Sequence, residues 1–374
     1  MSRSALILGA LPGQADAMHR LRAAGWKVYA CGHKRDGSGV EAADEFFVVD
    51  ILDPEGVADL AERLDVDVVY SVGSDIAMPT VAAVSERLGL PLFHSSQTTQ
   101  ILHRKDLLRA FLAEKDLSPV DHRMLRSVDD LAGFATYPAI VKPVDSQGQR
   151  GITIVQDADE AAAALPTALE SSHSGRAVIE ELLIGPEVTV HVFVVDGEVK
   201  ILPASDRVVW EGPLTGIPSA HVMPPRSIDA AQTEHMGDLI RRFVSALEVT
   251  EGPLYFQLIF TAAGPRIVEV APRLDGCHLW RLIEVHTGFD ILTACFTRML
   301  GEPWPGDPVV PTGVSHTLRF HLTDPAVPFD PAAHSFAEYG EVVFEEMHVE
   351  PGELPRDTNG YVARLGYAIT EDRA

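Results

Sequence analysis

The sequence predicts an α/β chain in which a parallel sheet wrapped by helices is followed by a mixed, largely antiparallel portion. Two patterns carry this reading. Through about the first 95 residues, short apolar runs alternate with helices of 10 to 12 residues, the signature of strand–helix–strand units. Beyond them, strand-length apolar runs are joined by tight turns that suit antiparallel pairing. Composition bounds the answer: 374 residues with 46% hydrophobic and 22% charged side chains suit two or three globular domains and exclude disorder as the whole answer.

The first part reads as strand Ala5 to Leu8, a helix to Ala24, strand Lys27 to Ala30, strand Glu45 to Val49 and a helix from Pro54 to Arg63. Strand Val66 to Val72, helix Ile76 to Leu88 and strand Pro91 to Phe93 follow. The result is a Rossmann-like lobe over residues 1–97. Its first turn, Gly9 to Gln14, lacks the full G-x-G-x-x-G spacing, and Pro12 removes an N–H that a phosphate loop would use. A dinucleotide site is not expected there. An apolar run of seven residues, Ala5 to Leu11, meets Pro12-Gly13 and reads better as strand and turn than as a signal peptide.

From Thr98 to about residue 305 the chain changes style. A helix from Lys105 to Lys115, strands Ala139 to Lys142 and Ile152 to Val155 and a helix through Ala161 to Leu169 precede a long antiparallel section. Asp196-Gly197 between Val188 to Val195 and Val199 to Leu202 predicts a hairpin with a type I′ turn. Met236, Leu239, Ile240, Phe243, Val244 and Leu247 recur at helical spacing, so one face of that helix is core. Residues 306–374 are Pro-rich and β-like, a small C-terminal lobe.

The 30 Lys+Arg and 54 Asp+Glu give a net charge of −24, which opposes attraction to nucleic acid or anionic lipid. Any phosphate must therefore be held by a local pocket. Cys31, Cys277 and Cys295 are scattered, without a C-x-x-C pair, which fits a reducing cytoplasm and neither a disulfide framework nor a thiolate zinc site. No uncharged apolar stretch approaches the ~20 residues that a membrane span needs.

Three segments carry chemistry. In the first, a strand ending at Lys142 leads into Ser146-Gln-Gly148-Gln-Arg-Gly151, where glycines let backbone N–H groups approach phosphates; read alone, the same segment is equally a surface hairpin. The second, Glu180-Glu181-Leu182-Leu183-Ile-Gly185-Pro-Glu187, closes an apolar strand with carboxylates that a core would not tolerate unpaired. It is either a solvated strand end or a hinge that presents backbone groups to adenine and a carboxylate to ribose. The third is a hairpin of Leu254 to Phe260 and Arg266 to Ala271. A three-residue turn centred on Ala263 sets Gln257 opposite Glu269, with Cβ atoms ~5 Å apart. An amide oxygen and a carboxylate so placed suit Mg²⁺, although an ordinary cross-strand polar pair would look the same. Just beyond the hairpin, Arg273 is placed to grip a carboxylate or an acyl phosphate with both prongs of its guanidinium.

Taken together, these segments resemble the ATP-grasp superfamily, the carboxylate-amine ligases that include biotin carboxylase, the L-amino acid ligases and the core of the carbamoyl-phosphate synthetase large subunit. The resemblance spans nearly the whole chain: a Rossmann-like pre-ATP-grasp lobe (1–97), a two-part α+β ATP-grasp core (98–305) and a small C-terminal β-rich lobe (306–374). Arg364-Leu-Gly-Tyr-Ala-Ile in that last lobe resembles the closing strand of the amino-acid ligases. The resemblance implies that Lys105 and Lys142 contact ATP phosphates under a mobile loop from Ser146 through Gly148 to Gly151. It gives Glu180, Glu181, Leu182 and Leu183 to adenine, Glu187 to ribose, and Gln257 with Glu269 to Mg²⁺, or Mn²⁺ in its place.

One position departs from the family. Where it writes Glu-x-Asn-Pro-Arg, this chain has Glu269-Val-Ala271-Pro272-Arg273, and alanine cannot coordinate a metal. The implied reaction activates a carboxylate as an acyl phosphate that an amine then attacks, with Lys142 and Arg273 as the catalytic cations. Asp206 to Trp210, His221 and Asp275 to His278 are the expected substrate residues. A bicarbonate-using carboxylase and a nucleotide-binding regulatory protein are the alternatives. The implied partners are small-molecule carboxylates and amines, with neither nucleic acid nor membrane, and a homodimer is compatible with them.

Overall fold

The computed structural model describes residues 3–146, 150–212, 216–356 and 362–372. Its first sheet is parallel, in the order β3-β2-β1-β4, built from β1 (Ser4–Leu8), β2 (Lys27–Gly32), β3 (Glu45–Val48) and β4 (Val68–Tyr70). Helices α1 (Pro12–Ala23), α2 (Gly39–Ala42), α3 (Pro54–Leu64) and α4 (Met78–Leu88) connect and flank these strands. Every residue of β1 is buried, as expected of a central parallel strand covered on both faces. In the first turn the Gln14 carboxamide accepts from the Leu11 N–H at 2.8 Å and donates to the Val72 carbonyl. That side chain fills the turn where a dinucleotide phosphate would have to lie.

Two local expectations fail here. Pro91 to Phe93 is not a strand: Pro91 has no N–H to donate, and Phe93 is fixed by edge-on contacts with Tyr70 and Phe193 instead. The segment after it forms a helix that the apolar periodicity did not announce, α5 (Ser96–His103), started by the Ser95 hydroxyl accepting from the Thr98 N–H at 3.1 Å. The chain then turns directly into α6 (Lys105–Glu114).

The next unit is a four-stranded antiparallel sheet, β5-β8-β6-β7, from β5 (His122–Leu125), β6 (Ala139–Pro143), β7 (Thr153–Val155) and β8 (Ala177–Glu181). Helix α7 (Ala158–Glu170) packs on it around Leu165 and Ala168. A nine-stranded antiparallel sheet follows. Its order is β14-β13-β9-β11-β12-β15-β17-β16, with β10 paired to the far half of β9. The strands are β9 (Glu187–Val195), β10 (Glu198–Ile201), β11 (Ser205–Val209), β12 (Pro218–Met223), β13 (Gly252–Thr261), β14 (Gly264–Ala271), β15 (His316–Thr323), β16 (Gly340–Met347) and β17 (Ala363–Asp372). The strands from 306–374 thus add to the same sheet as the central hairpins. Asp196 and Gly197 both have positive φ, 50° and 83°, the geometry of the predicted I′ turn.

The two faces of this large sheet have opposite characters. Val188, Val190 and Val192 of β9 and Leu254, Phe256 and Leu258 of β13 pack on Met236, Leu239, Ile240 and Phe243 of α8 (Ala230–Ala246), burying the predicted apolar stripe of that helix. The alternate residues, Glu187, Thr189 and His191 of β9 with Tyr255 and Gln257 of β13, fall on the other face because strand side chains alternate. Against that face lie the loop 272–278 and helices α9 (Leu279–Thr287) and α10 (Ile291–Met299), whose apolar residues merge with those of the parallel sheet into one core. Cys31, Cys277 and Cys295 are all free thiols. Among the described residues no helix is long and apolar enough to cross a membrane.

Candidate active site

Lys142 stands on β6 and Glu180 on the neighbouring β8, so strand pairing alone brings them within reach. The ammonium donates to Glu180 Oε2 at 2.8 Å, with both side chains buried. The sequence reading missed a third partner, Arg109 of α6. Its Nε and Nη2 bind the two Glu180 oxygens at 2.9 Å each, and its Nη1 donates to the Ile267 carbonyl of β14 at 2.8 Å. Burial pushes the Glu180 carboxyl up, but the Arg109 charge and then that of Lys142 outweigh it and hold it far below the usual carboxylate range. Burial lowers the Lys142 ammonium against the opposing pull of Glu180.

Glu180, expected to line adenine, therefore has both oxygens committed inside the protein. In the rest of the hinge, the Glu181 and Leu182 N–H groups bond to the Asp121 and Pro138 carbonyls at 2.9 and 3.0 Å. The Leu183 N–H has no hydrogen-bond partner among the described residues. The Glu181 carboxylate accepts from the Asp121 N–H at 3.0 Å. Gly185 needs its glycine: with φ of 154°, a Cβ there would run into the Phe260 carbonyl.

Lys105 is the first residue of α6, and its ammonium donates to the Ser146 carbonyl at 3.0 Å, tying the helix start to the Gly-loop entrance. Gly148 lies outside the described residues. Gly151 has φ of +69°, and a Cβ there would sit 2.6 Å from the Ser171 side chain.

On the polar face of the large sheet, Gln257 pairs with Glu269 as expected, but by a different route. The turn has two residues, Ala262 and Ala263, since Thr261 pairs with Gly264, and a bulge at Val268 restores the register at Gln257. Gln257 Nε2 donates to Glu187 Oε2 at 3.1 Å, which leaves its amide oxygen as the atom for a cation. Glu269 has no hydrogen-bonding partner among the described residues, and its charge acts on His103 and Arg273. An unpartnered carboxylate facing an amide oxygen fits Mg²⁺, a hard cation that would complete its shell with water and phosphate oxygens. Among the described residues there is no cluster of three or more His, Cys, Asp or Glu arranged for a metal.

Glu187, expected at ribose, is bound by Arg207 Nη1 at 2.6 Å as well as by Gln257. Arg207 stands opposite His221, one of the expected substrate residues. His221 is fully buried between Thr189 and Ser205, 3.4 and 3.3 Å from its Nδ1, and its Nε2 has no partner among the described residues. Burial, then the charges of Arg207 and Arg364, hold it neutral.

Arg273, expected to grip an intermediate with both prongs, makes its contacts here within the protein. Only 5% exposed, it spends Nη2 on Asp75 at 2.5 Å and Nη1 on the Leu274 carbonyl at 3.2 Å, and its guanidinium lies 5.7 Å from the Tyr255 ring. Its Nε has no partner among the described residues. Asp75, a second residue missed in the sequence, arrives from the first lobe, where Gly73 and Gly276 let the two loops touch; a Cβ on Gly73 would lie 3.0 Å from Gly276 Cα. Nearby, Asp275 accepts from the Cys277 and Leu279 N–H groups at 2.5 and 3.1 Å, and burial pushes its carboxyl up to about 6. Ala271 lies opposite Tyr255, as the pairing predicts, and is 1% exposed.

A groove of about 560 Å³ lined by Arg109, Leu117, Ser118, Asp121, Glu181 and Arg266 contains none of Lys105, Lys142, Glu187, Gln257 or Glu269. It is therefore not the phosphate end of the site.

Residues 104–276 match the family model of the phosphoribosylglycinamide synthetase ATP-grasp (A) domain. A phosphoribosylamine–glycine ligase of Methanococcus vannielii is 25% identical over 246 residues, 60% of this chain and 53% of that protein. The chain spans about half to two thirds of the length of the curated relatives it matches. An L-amino acid ligase structure from Bacillus licheniformis superposes with a TM-score of 0.81 at 18% identity, covering 100% of this chain and 94% of that one. The biotin carboxylase domain of Hydrogenobacter thermophilus 2-oxoglutarate carboxylase, solved with MgADP, ADP and bicarbonate, gives 0.80 at 16% identity, covering 99% and 86%. The matched segment begins one residue before Lys105 and ends just beyond Arg273, so it encloses both the cation cluster and the Gln257–Glu269 pair, and this part of the chain is similar to an ATP-grasp domain.

Proposed function

We propose that the protein is an ATP-dependent ligase that forms a C–N bond between a small carboxylic acid, such as an amino acid, and an amine, releasing ADP and phosphate. The observation that carries this reading is the presence of two lysines, Lys142 buried on β6 and Lys105 at the start of α6, together with a carboxylate that has no hydrogen-bonding partner among the described residues, Glu269 facing Gln257 on the large sheet. A carboxylate and an amine do not condense at neutral pH for want of a leaving group, and transfer of a phosphoryl group to the carboxylate supplies one.

Each residue has a definite task. Lys142 and Lys105 neutralise polyphosphate charge; the Leu183 N–H and the apolar hinge receive the base. Gln257 and Glu269 would hold Mg²⁺, which offsets charge on the bridging phosphate oxygens. Glu187 orients the Gln257 amide, and Arg207 holds Glu187 in place. Arg273, anchored by Asp75, sets the electrostatic field at the end of β14 where the acyl phosphate forms. The polar residues around His221 and Asp275 would receive the acid. Positioning and charge neutralisation are the protein's share of such a reaction.

The test is an ADP-release screen over pairs of amino acids and other small acids and amines, with mass detection of the product. ADP release that requires both substrates and yields their mass minus water supports the ligase. ADP release with bicarbonate alone makes the protein a carboxylase-type enzyme. Nucleotide binding without turnover on any pair favours a regulatory role.

A further inference from the structure

The buried end of the nucleotide cluster holds more positive charge than its one carboxylate can cancel. Arg109 takes both oxygens of Glu180 at 2.9 Å, and Lys142 shares Oε2 at 2.8 Å. The side chains of Arg109, Glu180 and Lys142 are only 3%, 3% and 7% exposed. Two cations against one anion leave a net charge of +1 in this triad, and Lys105 adds its field to Lys142. A buried charge without compensation is costly, so the arrangement is suited to an anion that arrives and departs.

Arg109 decides this balance. Without it, Glu180 and Lys142 would form a neutral one-to-one pair, and the ammonium would be held by its own protein. Its third contact, to the Ile267 carbonyl, ties α6 to the large sheet while the fork ties it to the small one, so it joins the three elements that enclose the cluster.

We propose that Arg109 is a positioning residue for nucleotide binding, which saturates Glu180 so that the charge of Lys142 remains available to polyphosphate. The inference rests on the ATP-dependent reading above and adds to it a residue that touches neither phosphate nor metal.

Charge rescue tests it with ADP as the calorimetric probe and thermal unfolding as the check of folding. Arg109→Gln makes the triad neutral and should raise the ADP Kd about ten-fold or more. Arg109→Lys keeps the triad's charge but loses the fork on Glu180, so its ADP Kd should rise by less than that of Arg109→Gln. The double variant Arg109→Gln/Glu180→Gln restores +1 and should recover to within about three-fold of wild type, which a merely structural role does not foresee. Wild-type affinity in Arg109→Gln, or a double variant as weak as that single one, overturns the proposal. Should Arg109→Gln fail to fold, the double variant decides: affinity within three-fold of wild type supports the proposal, and a ten-fold loss overturns it. Failure of the wild type to bind ADP or ATP refutes the ligase reading itself.

Discussion

The two ends of the site handle their carboxylates in opposite ways. At the small-sheet end, Glu180 is buried and both its oxygens are bound by cations. At the large-sheet end, Glu269 is partly exposed and without a hydrogen-bonding partner among the described residues, while its neighbour Glu187 is held by Arg207. A saturated carboxylate is part of the fold and leaves surplus positive charge for phosphate. On the proposed reading an unsaturated one is available to a cation. The same residue type would then serve architecture at one end and metal binding at the other, with the partner deciding which.

The largest expected effect separates the two directly. Glu180→Gln leaves Arg109 and Lys142 buried without a counter-charge and should cost about 3 to 5 kcal/mol of stability. Glu269→Gln should leave thermal unfolding within about 0.5 kcal/mol of wild type, yet raise the Mg²⁺ concentration for half-maximal ADP release about ten-fold. Equal losses of stability in the two variants would break the comparison. It can be sharpened by pH. Glu180 is held below its unfolded value of 4.5, so its contribution is complete above that pH and drains away as the pH falls toward the folded value. The unfolding difference between wild type and Glu180→Gln should therefore shrink below about pH 4.5.

Lys142→Ala comes next. Glu180 keeps Arg109 as a partner, so the protein should remain folded while ADP release falls about 100-fold or more. Near-wild-type turnover in the folded variant would remove Lys142 from the mechanism. Arg273→Lys keeps the charge but loses the fork that binds Asp75 and the Leu274 carbonyl. Turnover should fall about ten-fold, in keeping with ~1.5 to 3 kcal/mol for a charge-assisted bond, with nucleotide affinity little changed. A loss of affinity at constant turnover would assign Arg273 to the nucleotide instead. The smallest effect is expected from Ala271→Asn, which adds a polar side chain on the Glu269 face at a position only 1% exposed. The Mg²⁺ titration should move about three-fold lower; an overlay on wild type would mean that the buried amide cannot reach the metal.

What could be read from the sequence was local. Asp196-Gly197 dictates its own turn, α8 announces its buried stripe, and hairpin arithmetic brings Gln257 to Glu269 even though a bulge supplies the residue that a longer turn was expected to supply. The partners of those residues were not legible. Arg109 and Glu180 are 71 positions apart, Arg273 and Asp75 are 198 apart, and nothing in one sequence selects an arginine from the others for such a pairing. The cations that hold Glu180 and Glu187 within the folded chain are therefore not visible in the hinge sequence itself. Pro91 to Phe93 shows the complementary limit: its apolar character was read as a strand, while side-chain packing alone accounts for it.

The central claim is that a substrate carboxylate passes through an acyl phosphate at this site. It is tested most directly by supplying a substrate found in the ADP-release screen with ¹⁸O in its carboxylate and recording the mass of the phosphate released. The account predicts one ¹⁸O atom transferred to phosphate for each C–N bond formed. Unlabelled phosphate accompanying amide formation would contradict it.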